Sequence, residues 1–232
     1  MEAHRSMTQG EYMALWEEHG IDTSTMSKKK ASKPLSQRKL KSLNYKTLEE
    51  IQADLTNCQR CGLCEGRNKI VFGEGNKKTK IMFVGEGPGA NEDKTGLPFV
   101  GRAGELLNKI IEAMSLSREQ VYIANIVKCR PPSNRVPRPE EIEKCLPFLK
   151  AQIDIINPDI IVALGLTASS TLSGEDCTMG ELRGKFHPLF WNDTISVMAT
   201  YHPAYLLRNP AAKKVVWEDM KLVLKKTGAK RK

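Results

Sequence analysis

Four short apolar runs constrain this chain more than anything else in it. Residues 80–85 (KIMFVG), 121–126 (VYIANI), 159–165 (DIIVALG) and 194–201 (TISVMATY) are nearly continuous in hydrophobicity over the length of a strand. A strand that faces water on one side alternates apolar and polar residues, whereas one covered on both faces does not. All four therefore read as central strands of a parallel sheet. Between them, residues 104–114 carry Leu106, Leu107, Ile110, Ile111 and Met114, and residues 140–156 carry Ile142, Cys145, Phe148, Leu149, Ile153 and Ile156, both at helical spacing. This alternation predicts a three-layer α/β/α sandwich around a four-stranded parallel sheet, with right-handed crossovers. Ligands in such folds bind beyond the carboxyl ends of the strands.

Hydrophobic residues fill 40% of the 232 positions, enough for a sizeable core. No apolar run approaches the roughly 20 residues that span a bilayer, and the opening Met1-Glu2-Ala3-His4-Arg5 lacks the pattern of a secretory signal. A soluble cytoplasmic protein without membrane partners is expected. The net charge of +9 favours polyanionic partners. However, residues 28–46 hold eight Lys or Arg and no acid, and without them the rest is near neutral, so a nucleic-acid face must come from local placement of charge. Three segments follow: residues 1–46 as an extension and basic linker, with a short amphipathic helix on Tyr12, Leu15, Trp16 and His19; residues 47–226 as the folded domain, opened by the helix start Thr47-Leu48-Glu49-Glu50; and residues 227–232 as a basic tail.

The strand ends carry the chemistry. The first run enters Gly85-Glu86-Gly87-Pro88-Gly89-Ala90-Asn91-Glu92-Asp93, followed by Gly96-Leu97-Pro98-Phe99-Val100-Gly101. Glycines permit close backbone approach to a ligand, but neither a nucleotide P-loop nor a dinucleotide fingerprint is present. The loop is acidic, which suits a neutral ligand or a developing cation better than a triphosphate. The second run ends at Asn125, where an amide inside an apolar strand needs a reason; a turn role is the plain alternative, and pairing with the polar edge of a base the functional one. The fourth run ends in His202-Pro203-Ala204-Tyr205-Leu206-Leu207-Arg208. A histidine, apolar side chains and an arginine together suit a loop that enters nucleic acid.

Cysteines supply the other signal. Cys58 and Cys61 form a C-x2-C pair, and 67 and then 15 intervening residues lead to Cys129 and Cys145. Such spacing cannot be closed locally, so the fold must gather these residues, and a metal centre is the reading favoured over core thiols or disulfides. Sulfur ligation suits zinc or an iron–sulfur cluster alike. Cys64 lies close enough to compete as a ligand, whereas Cys177 has no motif around it.

From about Leu48 to Leu224 the chain resembles the family 4 uracil-DNA glycosylases, the thermostable-type, iron–sulfur branch of their superfamily. The resemblance rests on Cys58-x2-Cys61, Val71-Phe72-Gly73-Glu74-Gly75, Gly85-Glu86-Gly87-Pro88-Gly89, Pro98-Phe99-Val100-Gly101-Arg102-Ala103-Gly104, Asn125-Ile126-Val127-Lys128-Cys129-Arg130-Pro131-Pro132 and His202-Pro203, in that order. It implies a [4Fe-4S] cluster on Cys58, Cys61, Cys129 and Cys145, structural in role. It also implies hydrolysis of the N-glycosidic bond of uracil in single- or double-stranded DNA. Carried over by position, Glu86 and His202 are catalytic, Phe99 stacks on the flipped base, Asn125 bonds its polar edge, Gly87 lies in the binding loop, and Glu92 lies near C5. Arg130, Leu206, Leu207 and Arg208 are expected to touch DNA. A monomer is expected, nucleoid-associated in a bacterium, with repair or replication proteins contacted through residues 1–46.

One departure stands out: Gly87 occupies the place where other branches carry the Asp or Asn that positions the attacking water, leaving Glu86, Asn91 or a backbone group to substitute. Residues 130–139 (RPPSNRVPRP) also lack the histidine of a related branch that traps DNA covalently, so turnover without an adduct is expected. Competing readings are a non-catalytic iron–sulfur or zinc module that docks on DNA or a repair protein, and a broader glycosylase for other deaminated bases. The first leaves Glu86, Asn125 and His202 without a task.

Overall fold

The computed structural model describes residues 43–228. The amphipathic helix expected on Tyr12 to His19, most of the basic linker and the last four residues of the tail lie outside the described residues. Thr47 opens helix α1 (Leu48–Leu55) by accepting a hydrogen bond from Glu50 N at 3.2 Å, as its place before the apolar residues predicts.

Beyond α1 the chain forms β1 (Glu74–Gly75), β2 (Ile81–Gly85), α2 (Ala90–Thr95), α3 (Arg102–Ala113), β3 (Tyr122–Asn125), α4 (Pro139–Ile156) and β4 (Ile160–Leu164). It continues through α5 (Leu166–Ser173), α6 (Met179–Leu182), β5 (Phe186–Leu189), β6 (Asn192–Thr200), α7 (Pro203–Arg208) and α8 (Lys213–Thr227). Six strands form one sheet in the order β1-β3-β2-β4-β6-β5. The inner four, β3-β2-β4-β6, are parallel, as the apolar runs predict.

Two antiparallel edges extend the expected four strands. β1 is only two residues long, and β5 (FHPL) contains Pro188, whose missing N–H is tolerated at a sheet edge. Neither has the apolar run that marks a buried strand.

Alternation along each strand feeds two cores. Met82 and Val84 join Tyr122, Ala124, Ile161, Ala163 and Val197 on one face, packed by α1, α4 and α5. Ile81 and Phe83 join Ile123, Ile160, Val162 and Met198 on the other, packed by α3, α7 and α8. Helices thus cover both faces, which is why β2, β3 and β4 are buried throughout, while β6 starts exposed at Asp193 and Thr194 before it enters the core. β2 lies between β3 and β4, so the chain leaves it on one side and returns on the other. That reversal opens a crevice beyond Gly85 and Leu164, where ligands of open α/β sheets bind.

Candidate active site

A cleft of about 710 Å³ occupies that crevice, within the usual size range of small-ligand sites. Glu86, Gly87, Glu92, Phe99, Asn125, His202 and Arg208 all line it, so the structure gathers these expected residues from the ends of three strands and one loop. Thr167, Leu166, Arg135, Val136, Ala103 and Ala204 line it too, and sequence reasoning did not single them out. Thr167 follows the end of β4 closely, so the strand-end rule applied to all four strands would have found it.

Phe99 sits in the left-handed region at φ 52° yet is buried. Such a backbone costs on the order of 1–3 kcal/mol and persists only where its surroundings over-determine it. Three groups do so. The Glu92 carboxylate accepts from Val100 N (2.9 Å) and Gly101 N (3.0 Å) through Oε1, and from Gly89 N (3.1 Å) through Oε2. Arg118 donates to the carbonyls of Pro98 and Phe99, to Asn108 Oδ1 (3.0 Å) and to Glu74 Oε1 (2.7 Å). Gly104 completes the fit, since a β-carbon there would come within 1.9 Å of the Phe99 carbonyl oxygen. Glu92 therefore organises the loop that presents Phe99.

Asn125 is buried at the end of β3, and its Oδ1 has no hydrogen-bond partner. A β-carbon built on Gly85 would meet this atom at 2.6 Å and the Phe99 ring at 2.5 Å, so an unsatisfied acceptor and an aromatic ring converge on one spot. A buried acceptor left unpaired costs about 1–3 kcal/mol, which a ligand donor relieves. The Asn125 carbonyl accepts from the buried Lys128 Nζ at 3.1 Å, and Lys128 also donates to Gln152 Oε1 at 2.5 Å.

His202 caps α7: its Nδ1 accepts from Ala204 N at 3.1 Å. Accepting there requires Nδ1 to be unprotonated, which leaves the proton of the neutral ring on Nε2. Burial, aided by the Arg208 charge, pushes the imidazole pKa down to about 4. His202 is a neutral donor at ordinary pH.

Glu86 accepts a hydrogen bond from the Thr167 hydroxyl at 2.5 Å through Oε2. Gly87 is tightly packed, because a β-carbon there would lie 2.8 Å from Val127 Cγ2. An Asp or Asn at this position would have to displace Val127.

The structure corrects one expectation at the cleft mouth. Residues 203–208 form a helix rather than a loop, and Leu206 turns into the core at 1% exposure; Tyr205 and Leu207 are the exposed apolar side chains. Arg130 donates to Asn134 Oδ1 at 2.8 Å, while Arg135 lines the cleft, held by both oxygens of Glu141 at 2.6 and 2.8 Å. Helical spacing brings Leu206 inward, and the turn at Ser133 and Asn134, both at positive φ, redirects the loop.

Cys58, Cys61, Cys129 and Cys145 line a second pocket with Cys64 and Lys128, while Cys177 lies in the α5–α6 connection; none of the six forms a disulfide. Arg60 Nη1 lies 3.4 Å from Cys58 Sγ and Arg67 Nη1 3.5 Å from Cys129 Sγ. Burial pushes the thiols of Cys61, Cys129 and Cys145 up, the last to about 12. Among the described residues, no group of three or more His, Cys, Asp or Glu forms a ready site for a single metal ion. The two pockets are joined: Lys128 N donates to Cys145 Sγ at 3.3 Å while its side chain holds the Asn125 carbonyl.

Residues 72–221 match the model of the uracil DNA glycosylase superfamily. The chain is 49% identical over 187 residues to the type-4 uracil-DNA glycosylase of Thermotoga maritima, covering 78% of this chain and 96% of that protein. Proteins of the same name from Saccharolobus solfataricus (47% over 184 residues, 76% and 84% covered) and Sulfurisphaera tokodaii (46% over 183 residues, 76% and 83% covered) are similar as well. Fold, cleft and these likenesses agree, and the chain belongs to the type-4 uracil-DNA glycosylases.

Proposed function

We propose that this chain excises uracil from DNA by hydrolysing its N-glycosidic bond, leaving an abasic site for repair. The observation that carries the reading is the convergence of the Phe99 ring and the unpaired Asn125 Oδ1 on one spot of a cleft that also holds Glu86 and a neutral His202. Reaching the bond requires flipping the base from the stack, at a cost of a few kcal/mol. Stacking on Phe99 and a hydrogen bond from the base to Asn125 offset that cost. Rupture of the C1′–N1 bond sends its electron pair to uracil and leaves a cationic sugar, as in glycoside hydrolysis. His202 Nε2–H donates to the oxygen where negative charge grows, a preorganised electrostatic contribution. The Glu86 carboxylate stabilises the sugar cation and orients the water that adds to C1′, the water's proton leaving to the uracil anion or solvent.

Single-turnover rates of Glu86→Gln and His202→Ala on a uracil-containing oligonucleotide test this. Both should fall by at least tenfold; wild-type rates in both would show the assignment to be wrong. No DNA adduct should survive denaturation.

The cysteine pocket fits a [4Fe-4S] cluster on Cys58, Cys61, Cys129 and Cys145: these side chains line one pocket, and the guanidinium groups of Arg60 and Arg67 and the main-chain N–H of Lys128 lie on three of the sulfurs, where they offset thiolate charge. When bound, the cluster supplies a rigid cross-link between the two halves of the chain. A brown protein would support it and a colourless zinc protein would overturn it. The intervening loop, with Arg130 and Arg135, and the tip of α7, with Leu207 and Arg208, form the DNA-contacting rim of a monomeric, intracellular enzyme. Among the described residues no helix is long and apolar enough to cross a membrane.

A further inference from the structure

We infer that Thr167 is a positioning residue for excision, fixing the Glu86 carboxylate; the inference rests on the reading of Glu86 above. The two residues stand 81 apart in sequence but follow neighbouring parallel strands, whose register pairs Val84 with Ala163. Their hydrogen bond, at 2.5 Å, crosses the crevice between β2 and β4. A hydroxyl donating to a carboxylate is charge-assisted, shorter and stronger than a neutral pair.

Glu86 needs such a partner. Its main chain is pinned toward β3, because Val127 N donates to the Glu86 carbonyl at 3.2 Å, but that bond leaves the side-chain torsions free. The neighbouring position cannot help, since Gly87 has no side chain to offer. Asn91 borders Gly101 and is not among the residues lining the cleft. The turn that carries Thr167 is anchored to the sheet. Thr167 lies in the first turn of α5, behind Gly165, whose N–H donates to the Thr200 carbonyl at 2.9 Å, and the Ser169 hydroxyl donates to the Gly165 carbonyl at 2.8 Å. Gly165 also abuts His202, a β-carbon there lying 3.1 Å from that of His202. One turn thus places both the carboxylate's partner and the imidazole. Binding of Oε2 by Thr167 leaves Oε1 for the water or the sugar, and a carboxylate misplaced by about 1 Å can cost on the order of 100-fold in rate.

The experiment is a double-mutant cycle: wild type, Thr167→Val, Glu86→Gln and the double variant, with Thr167→Ser as rescue, assayed by single turnover at saturating enzyme on an oligonucleotide carrying one uracil. Affinity for the abasic product strand is measured in parallel. Thr167→Val should slow excision by roughly 10- to 100-fold with affinity changed less than about twofold, Thr167→Ser should recover most of the rate, and Thr167→Val should add nothing in the Glu86→Gln background. Should Thr167→Val fold poorly, Thr167→Ala takes its place in the cycle, since the position is only half-buried. A slow Glu86→Gln beside a wild-type Thr167→Val would overturn the inference and leave the function standing. So would a full effect of Thr167→Val on top of Glu86→Gln, or a loss of affinity as large as the loss of rate. A wild-type rate in Glu86→Gln would instead remove the reading on which the inference depends.

Discussion

The ring of Phe99 lies 5.6 Å from that of His202, centroid to centroid, tilted by 32°. One ring belongs to the loop between α2 and α3 and the other caps α7, so neither residue's own segment creates the contact. The aromatic face that would stack on a base and the imidazole that would receive its charge are therefore set by packing, with the loop around Phe99 held by Glu92, Arg118 and Gly104.

Gly104→Ala should disturb this pair first. Its β-carbon would overlap the Phe99 carbonyl, so α3 or the Phe99 loop must shift. The expected cost is about 1–3 kcal/mol in stability, in the range of overpacked buried sites. Urea denaturation should show it, together with a drop in single-turnover rate of tenfold or more.

The pH response of His202 follows from its neutral burial. Its pKa is about 4 folded against 6.5 in the unfolded chain. The unfolded state therefore binds more protons between those values, and stability must fall as pH drops through that window. Replacing His202 with Asn, which can also accept at a helix N-cap, should flatten the loss between pH 6.5 and 4. NMR of the ring nitrogens should show a neutral imidazole with the proton on Nε2 down to about pH 4.

Lys128→Met leaves two buried acceptors, the Asn125 carbonyl and Gln152 Oε1, without their donor. Each unpaired group costs about 1–3 kcal/mol, so a loss of roughly 2–4 kcal/mol in urea melts is expected. Because Asn125 is displaced with its carbonyl, affinity for uracil-containing DNA should fall more than affinity for DNA without uracil.

Removing the proposed cluster ligand Cys145 should act locally. Cys145 packs against the edge of one core without being one of its buried members, whereas residues 130–143 are bracketed by Cys129 and Cys145. In Cys145→Ser, far-UV dichroism should stay near that of the wild type while tryptic cleavage after Arg135 accelerates. An intact loop with normal excision would count against the structural role of the metal centre.

The four inner strands were legible because burial on both faces leaves a continuous apolar signature, and α1, α3 and α4 because caps and periodicity mark them. The edges were not. β1 is too short to carry a pattern, and β5 contains Pro188 and His187, residues that local propensity places outside strands. At the site, Glu86, Asn125 and His202 were identifiable as residues at or just beyond strand ends with suitable chemistry, whereas Phe99, in a loop between two helices, was singled out only through the family resemblance. The inward turn of Leu206 and the place of Arg135 in the cleft were not legible, because a side chain's direction depends on the neighbour it packs against.

The amino-acid sequence by itself determined which segments become strands and helices and which chemical groups stand at their ends, since periodicity, caps and residue type are local properties. Tertiary structure alone decided which of those groups meet. The order β3-β2-β4-β6 places Thr167 beside Glu86, and the turn before α3 lets Arg118 and Glu92 grip the Phe99 loop. These contacts join residues far apart in the chain, and only the closing of the sheet and its two cores brings them within reach.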